Sequence, residues 1–96
     1  MGFKVIFAPQ AHARLEEIVR FIAQDDPQAA IRVGDYLADR AESLRNFPEL
    51  GTPYRKRAYV RRLLCKPYLI YYRLRPQEQV IEVMDFWHSA RRDFPL

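Results

Sequence analysis

Residues 55–74 read Arg55-Lys56-Arg57-Ala58-Tyr59-Val60-Arg61-Arg62-Leu63-Leu64-Cys65-Lys66-Pro67-Tyr68-Leu69-Ile70-Tyr71-Tyr72-Arg73-Leu74. Arg55, Lys56, Arg57, Arg61, Arg62, Lys66 and Arg73 bring seven positive charges with no acid between them. The same stretch is among the most apolar in the chain. Residues 59–64 and 68–74 are rich in aromatic and branched side chains and read as two strands broken at Cys65-Lys66-Pro67. A hairpin that is both core and cation predicts a sheet with one packed face and one positively charged face.

Downstream, Pro76-Gln77-Glu78-Gln79 forms a turn into a further strand over residues 80–88, and residues 89–96 form a tail. Upstream, residues 49–53 read as a loop. Ala30, Val33, Leu37, Ala41 and Leu44 recur at helical spacing and predict a helix over about 27–46, with Asp26 as N-cap and Pro27 at its first position. Gly34 weakens that helix slightly or lets its partner approach closely. Ala11, Leu15, Ile18 and Ile22 make the stripe of an earlier helix over about 9–24, opened by Pro9 after a poor cap, Ala8. Phe3, Val5 and Phe7 alternate with Lys4 and Ile6 in a short opening strand. The order β-α-α-β-β-β defines an α+β fold, with an antiparallel helical hairpin on one face of a small, mainly antiparallel sheet.

Ninety-six residues, 49% of them apolar, suffice for one core and one domain, residues 1–96, without repeats or linkers. The net charge of +4 is uneven: residues 1–54 carry −2 and residues 55–96 carry +6. That asymmetry favours an anionic partner for the second half, either nucleic acid or an acidic protein segment. A lone cysteine, Cys65, excludes an internal disulfide and reads as a buried or turn thiol. No Cys/His spacing suggests zinc, so neither metal nor cofactor is expected. No run is long enough to span a membrane and no signal-peptide core opens the chain, so a cytoplasmic location is expected.

The ordered set of residues resembles the ParE/RelE family of bacterial type II toxins. It comprises Ala8-Pro9-Gln10-Ala11, Leu15-Glu16-Glu17-Ile18, Phe21-Ile22-Ala23, Asp26-Pro27, Ala29-Ala30, Leu44, and Phe47-Pro48 with Gly51. It continues through Val60-Arg61, Tyr68-Leu69-Ile70-Tyr71-Tyr72-Arg73, and His88 followed by Arg91-Arg92-Asp93. The resemblance implies a cognate antitoxin whose disordered tail folds on the toxin, and a homodimer or a toxin–antitoxin hetero-oligomer as the assembly. It also implies one of two activities. ParE-like members poison DNA gyrase; RelE-like members are metal-independent endoribonucleases that cut mRNA on the ribosome. A third reading is an inactive member kept for antitoxin binding.

Metal-free RNA cleavage needs a base, an acid and cations around the phosphorane. His88 could transfer protons, with Arg61 and Arg73 supplying charge; Glu82 and Asp85 are further carboxylates, each read more simply as solvated or ion-paired. The set departs from the RelE-like pattern. Leu69 follows Tyr68 where those nucleases carry Arg, and Arg61-Arg62 stand where they carry paired lysines. Arginine stays protonated and makes a poor base. The tail holds Phe94 and no Tyr. The ending resembles ParE, so a gyrase-directed toxin that is not itself an enzyme is the favoured expectation. Its target- or antitoxin-binding residues would be Arg55, Lys56, Arg57, Arg61, Arg62, Lys66, Arg73, Trp87, Arg91 and Arg92. Plainer readings stand beside these. His88 would bond a turn at a strand end. Arg61 would pair with Asp85 or Asp93, and Arg73 would be solvated. Trp87 would be core or rim. Tyr71 and Tyr72 would point opposite ways, one of them certainly into the core. Val19, Phe21 and Tyr36 exceed what one helical stripe buries, so that side of the hairpin is expected to contact the antitoxin tail.

Overall fold

The computed structural model describes residues 2–55, 57–92, 94 and 95. The order is β1 (Lys4–Phe7), α1 (Pro9–Ala23), α2 (Pro27–Ser43), β2 (Thr52–Pro53), β3 (Val60–Cys65), β4 (Tyr68–Arg75), a 3₁₀ turn at Pro76–Glu78, and β5 (Val80–His88). The five strands lie in the order β1-β5-β4-β3-β2. The two longest pairings, β3–β4 and β4–β5, are antiparallel, whereas β1 runs parallel to β5 with Lys4 opposite Val80 and Phe7 opposite Val83. The expected α+β architecture is present, in a mixed sheet with one strand more than expected. The predicted loop over 49–53 contains that strand: Thr52 and Pro53 pair with Arg62 and Arg61.

Local chemistry sets the helix ends. Pro9 occupies the first turn of α1, and Ala8 supplies no side-chain cap. Asp26 caps α2, accepting from Ala29 N at 3.0 Å. α2 stops at Ser43, three residues short of the expected end; Leu44–Asn46 continue as turns. Gly34 meets Val19, and an added Cβ would stand 3.0 Å from Val19 Cγ2, so close helix approach explains this glycine.

Both helices lie on one face. Ala11 and Ile18 of α1 and Leu37 and Ala41 of α2 join Leu63, Cys65, Tyr68, Ile70, Tyr72, Ile81, Val83 and Phe86 in the main core. β4 and β5 shift register between Tyr71 and Tyr72, where Asp85 and Val83 face them in turn and Met84 is the extra residue.

The second face departs from expectation. Tyr71 and Tyr72 point to opposite sides, yet both are buried. Tyr72 belongs to the main core; Tyr71 anchors a smaller one with Tyr54, Val60, Trp87 and Phe94. The face predicted to be an open cationic surface is therefore roofed at its centre. The segment before β3 brings in Tyr54 and the tail brings in Phe94. Phe94 stacks on Tyr71 with centroids 4.3 Å apart, and Tyr54 meets Tyr71 edge-on at 5.0 Å.

Candidate functional site

The aromatic roof positions the cations. Tyr54 Oη donates to Phe94 O at 2.9 Å, and Trp87 Nε1 donates to Arg92 O at 2.6 Å, so the tail is tied at two points. Guanidinium groups cover both ends of the aromatic row. Arg55 and Arg62 lie over Tyr54, 5.5 and 5.4 Å from its centroid; Arg14 and Arg91 lie over Trp87 at 5.4 and 4.1 Å. Trp87 is thus a buried platform beneath cations, in keeping with the core-or-rim reading.

Arg14 reaches Asp85 because β1 ends at Phe7, opposite Val83, leaving the following residues of β5 without a β1 partner. Arg14 Nε donates to Asp85 Oδ1 at 3.0 Å, and Phe86 N donates to the same oxygen at 2.8 Å. Hydrogen bonding to Asp85 raises the Arg14 guanidinium above its usual value. Asp85 is ion-paired as read, but its partner is Arg14 and not Arg61. Asp93, the other suggested partner of Arg61, lies outside the described residues. Arg61 instead donates to Gly51 O and Glu49 O across the β2–β3 edge. Glu82 pairs with Arg75 at 2.7 Å.

His88 is half-buried at the end of β5. Its Nδ1 accepts from Ala90 N at 3.0 Å, and its ring meets Tyr68 edge-on at 5.2 Å. The reading of a histidine holding a turn is correct. That bond ties Nδ1 to the turn that follows β5.

The three groups of the nuclease reading do not converge. His88 stands opposite Tyr68, and Arg61 stands opposite Tyr72, on the helix-covered face. Four strand residues separate those rows, roughly 13 Å at about 3.3 Å per residue. Arg73 stands opposite Val60 and points to the other face. One phosphodiester cannot touch all three.

The expected binding residues divide into two ends of the sheet. Arg91, with Arg14, His88 and Glu17, rims a cleft of about 360 Å³ floored by Ile18, Phe21, Tyr68 and Phe86. Arg92 lies beside it with Trp87 and Ala90. Arg55, Arg57 and Arg61 line a second cleft of about 480 Å³ at the opposite end, with Tyr59, Leu74 and Pro76. Arg62 lies over the roof between them, its Nη1 3.4 Å from Tyr71 Oη, and Arg73 is half-buried next to the strand position of Glu82. Lys66 is exposed in the β3–β4 turn. Lys56 lies outside the described residues. Phe21 and Tyr36 are exposed, Phe21 by 71%, while Val19 is half-buried against Gly34. Sequence reasoning missed Arg14, because its partner is distant in the chain. It also missed Tyr54, which reads as an ordinary loop aromatic. Among the described residues no helix is long and apolar enough to cross a membrane, and no group of three His, Cys, Asp or Glu could hold a metal.

Comparison with known proteins gives this arrangement a family. The model of the ParE toxin of the type II toxin–antitoxin system parDE matches residues 5–93. The Sinorhizobium fredii protein Y4kP, whose name assigns it provisionally to the toxins, is 34% identical over 76 residues, spanning 78% of this chain and 79% of its own. Among solved structures, the chromosomal ParDE toxin–antitoxin system from P. aeruginosa superposes with a TM-score of 0.78 at 16% identity, covering 90% of this chain and 95% of that one. The RelBE2 toxin–antitoxin complex of Mycobacterium tuberculosis gives 0.69 at 19% identity, covering 92% and 99%. The isolated E. coli RelE toxin gives 0.60 at 14%, covering 95% and 88%. The chain belongs to the ParE toxin family of type II toxin–antitoxin systems.

Proposed function

We propose that this chain is a ParE-like toxin that inhibits DNA gyrase by binding it, without chemistry of its own, and that a cognate antitoxin neutralises it. The observation that carries the reading is the dispersal of the nuclease candidates. His88 holds a turn, Arg61 holds the β2–β3 edge, and Arg73 faces away from both. Their separation supports a protein that works through contact surfaces. The cleft beside α1 supports the antitoxin as partner. Its floor is apolar and its rim carries Arg14, His88 and Arg91, which suits an acidic, amphipathic tail that folds on binding. Solved neighbours of the same fold are toxin–antitoxin assemblies. A cytoplasmic site of action follows from such a target.

The test uses purified protein in gyrase supercoiling and DNA-cleavage assays, run beside mRNA cleavage on translating ribosomes. Accumulation of cleaved DNA with gyrase is expected, and His88→Ala should leave it largely intact. Ribosome-dependent cleavage of mRNA, abolished by His88→Ala and without any gyrase effect, would replace this reading with the RelE-like one. Silence in both assays, with the antitoxin still bound, would make the chain an inactive family member.

A further inference from the structure

The cleft at the far end of the sheet from the proposed antitoxin site is basic. Arg55, Arg57 and Arg61 line it, and Glu49 is the one acid among its lining residues. Two of the cations are held in place. Arg55 lies over the Tyr54 ring, and Arg61 is fixed by the carbonyls of Gly51 and Glu49. Arg57 is exposed and forms no ion pair among the described residues.

Between these cations stands Tyr59. It is 62% exposed, second among the large apolar side chains of the described residues and level with Phe47. Its φ is 66°, a left-handed conformation that bulky side chains rarely adopt. The surrounding backbone enforces it. Leu74 N donates to Tyr59 O at 2.8 Å, Tyr54 N to Val60 O at 2.9 Å, and Arg57 N to Tyr54 O at 3.2 Å. The fold thus holds an aromatic ring out of the core, beside three guanidinium groups and over an apolar floor of Val60, Leu74 and Pro76. Strain maintained by several surrounding bonds is a mark of a positioned functional group.

From this we infer that the cleft binds a single strand of nucleic acid, a base stacking on Tyr59 and the neighbouring phosphates lying against Arg55, Arg57 and Arg61. Stacking on an exposed ring is independent of base identity, and guanidinium groups track the backbone. An acidic peptide would satisfy the arginines but would leave the outward ring without use, so nucleic acid is favoured. The site needs no particular enzyme as target, and it would add a strand contact to the gyrase-binding reading.

Fluorescence anisotropy of the full chain with a labelled oligothymidylate of roughly 10 nucleotides tests this without gyrase or ribosome. Tyr59→Ala should weaken binding on the order of 10-fold or more, and Tyr59→Phe should restore it. Arg57→Ala should flatten the plot of log affinity against log salt by about 0.7, as expected for one phosphate contact on a single strand. Arg32→Ala, which removes a charge from exposed α2, should change affinity little. Thermal melts of each variant separate binding loss from unfolding. Binding that ignores Tyr59, or that falls equally with Arg32→Ala, overturns the site. So does capture of polyglutamate with no affinity for the oligonucleotide, which would assign the cleft to an acidic protein. Failure here leaves the gyrase assay unaffected, and the two readings fall separately.

Discussion

Replacing Arg14 by Met tests how the second face is held. Asp85 is 2% exposed and its Oδ1 has two donors, Arg14 Nε at 3.0 Å and Phe86 N at 2.8 Å. Met keeps the aliphatic stem and removes the charge. The carboxylate would stay buried with a single backbone donor. Breaking a buried pair typically costs about 3–5 kcal/mol, mostly from the uncompensated charge. Arg14 retains 18% side-chain exposure, so water reaches one side of the pair and about 3 kcal/mol is the better figure. A domain of this size is stable by about 5–15 kcal/mol, so the loss is a large fraction of the whole. Trp87 is the single tryptophan and lies under Arg14, which makes its emission the natural probe. Urea unfolding followed by that emission should show an unchanged slope and a lower midpoint. Asp85→Asn alone should cost less than Arg14→Met, because the amide is neutral and the cation left behind is partly exposed. The double variant should recover part of the loss, a coupling well beyond the ~0.5 kcal/mol of independent sites. A loss under about 1 kcal/mol for Arg14→Met, or simple additivity, would show that the pair behaves as a surface contact and would refute the reasoning.

Tyr72→Phe should cost about 1–3 kcal/mol in thermal or urea unfolding, because Tyr72 Oη accepts from Gly51 N at 2.9 Å and its loss leaves a buried donor unpaired. Gly51→Ala should be worse than Tyr72→Phe in the same experiment, since a Cβ there would stand 2.5 Å from Arg62 O, a backbone atom that cannot turn aside. Phe94→Ala should cost about 3 kcal/mol or more and raise hydrogen exchange along the tail while the β4–β5 ladder stays protected. Burial pushes the Cys65 thiol above 9.0 and the Tyr68 and Tyr72 hydroxyls above 10.0. Groups with raised folded values contribute fully below the unfolded ones, so stability should hold to about pH 9 and fall as pH rises further, the unfolded chain ionising first. A urea midpoint that stays level well above pH 10 would contradict that sign.

Much of this fold is legible in short stretches. The helical stripes, Asp26 as cap, Pro9 and Pro27 as starts, and the hairpin around Pro67 all depend on neighbours within a turn or a strand. The roof over the second face is not legible that way. Tyr54 and Phe94 are distant in the chain and meet only because Tyr71 presents a ring between them. A period of two distinguishes the faces of a strand but does not say whether a distant loop will cover one of them. For the same reason both tyrosines of the Tyr71-Tyr72 pair are core. The partner of Asp85 was hidden similarly: Arg14 reads as the polar side of a helix until β1 is seen to end short of it. Of the candidate site, residue types and locations were readable, since His88 does hold a turn and Trp87 is buried. Their distances were not, because they depend on register and on the bulge at Met84.

The parallel pairing of β1 with β5 has a consequence for how the protein comes into being. Lys4 cannot find Val80, nor Phe7 find Val83, until β5 has left the ribosome. Contacts between distant segments must bear the entropy of closing a long loop before they yield stability. The helical hairpin emerges first, with Ile18, Leu37 and Ala41 lacking the sheet they are built to cover. A translating ribosome therefore carries an apolar hairpin and no finished sheet. Both clefts, which need β4 or β5 for part of their walls, form only after those strands have emerged.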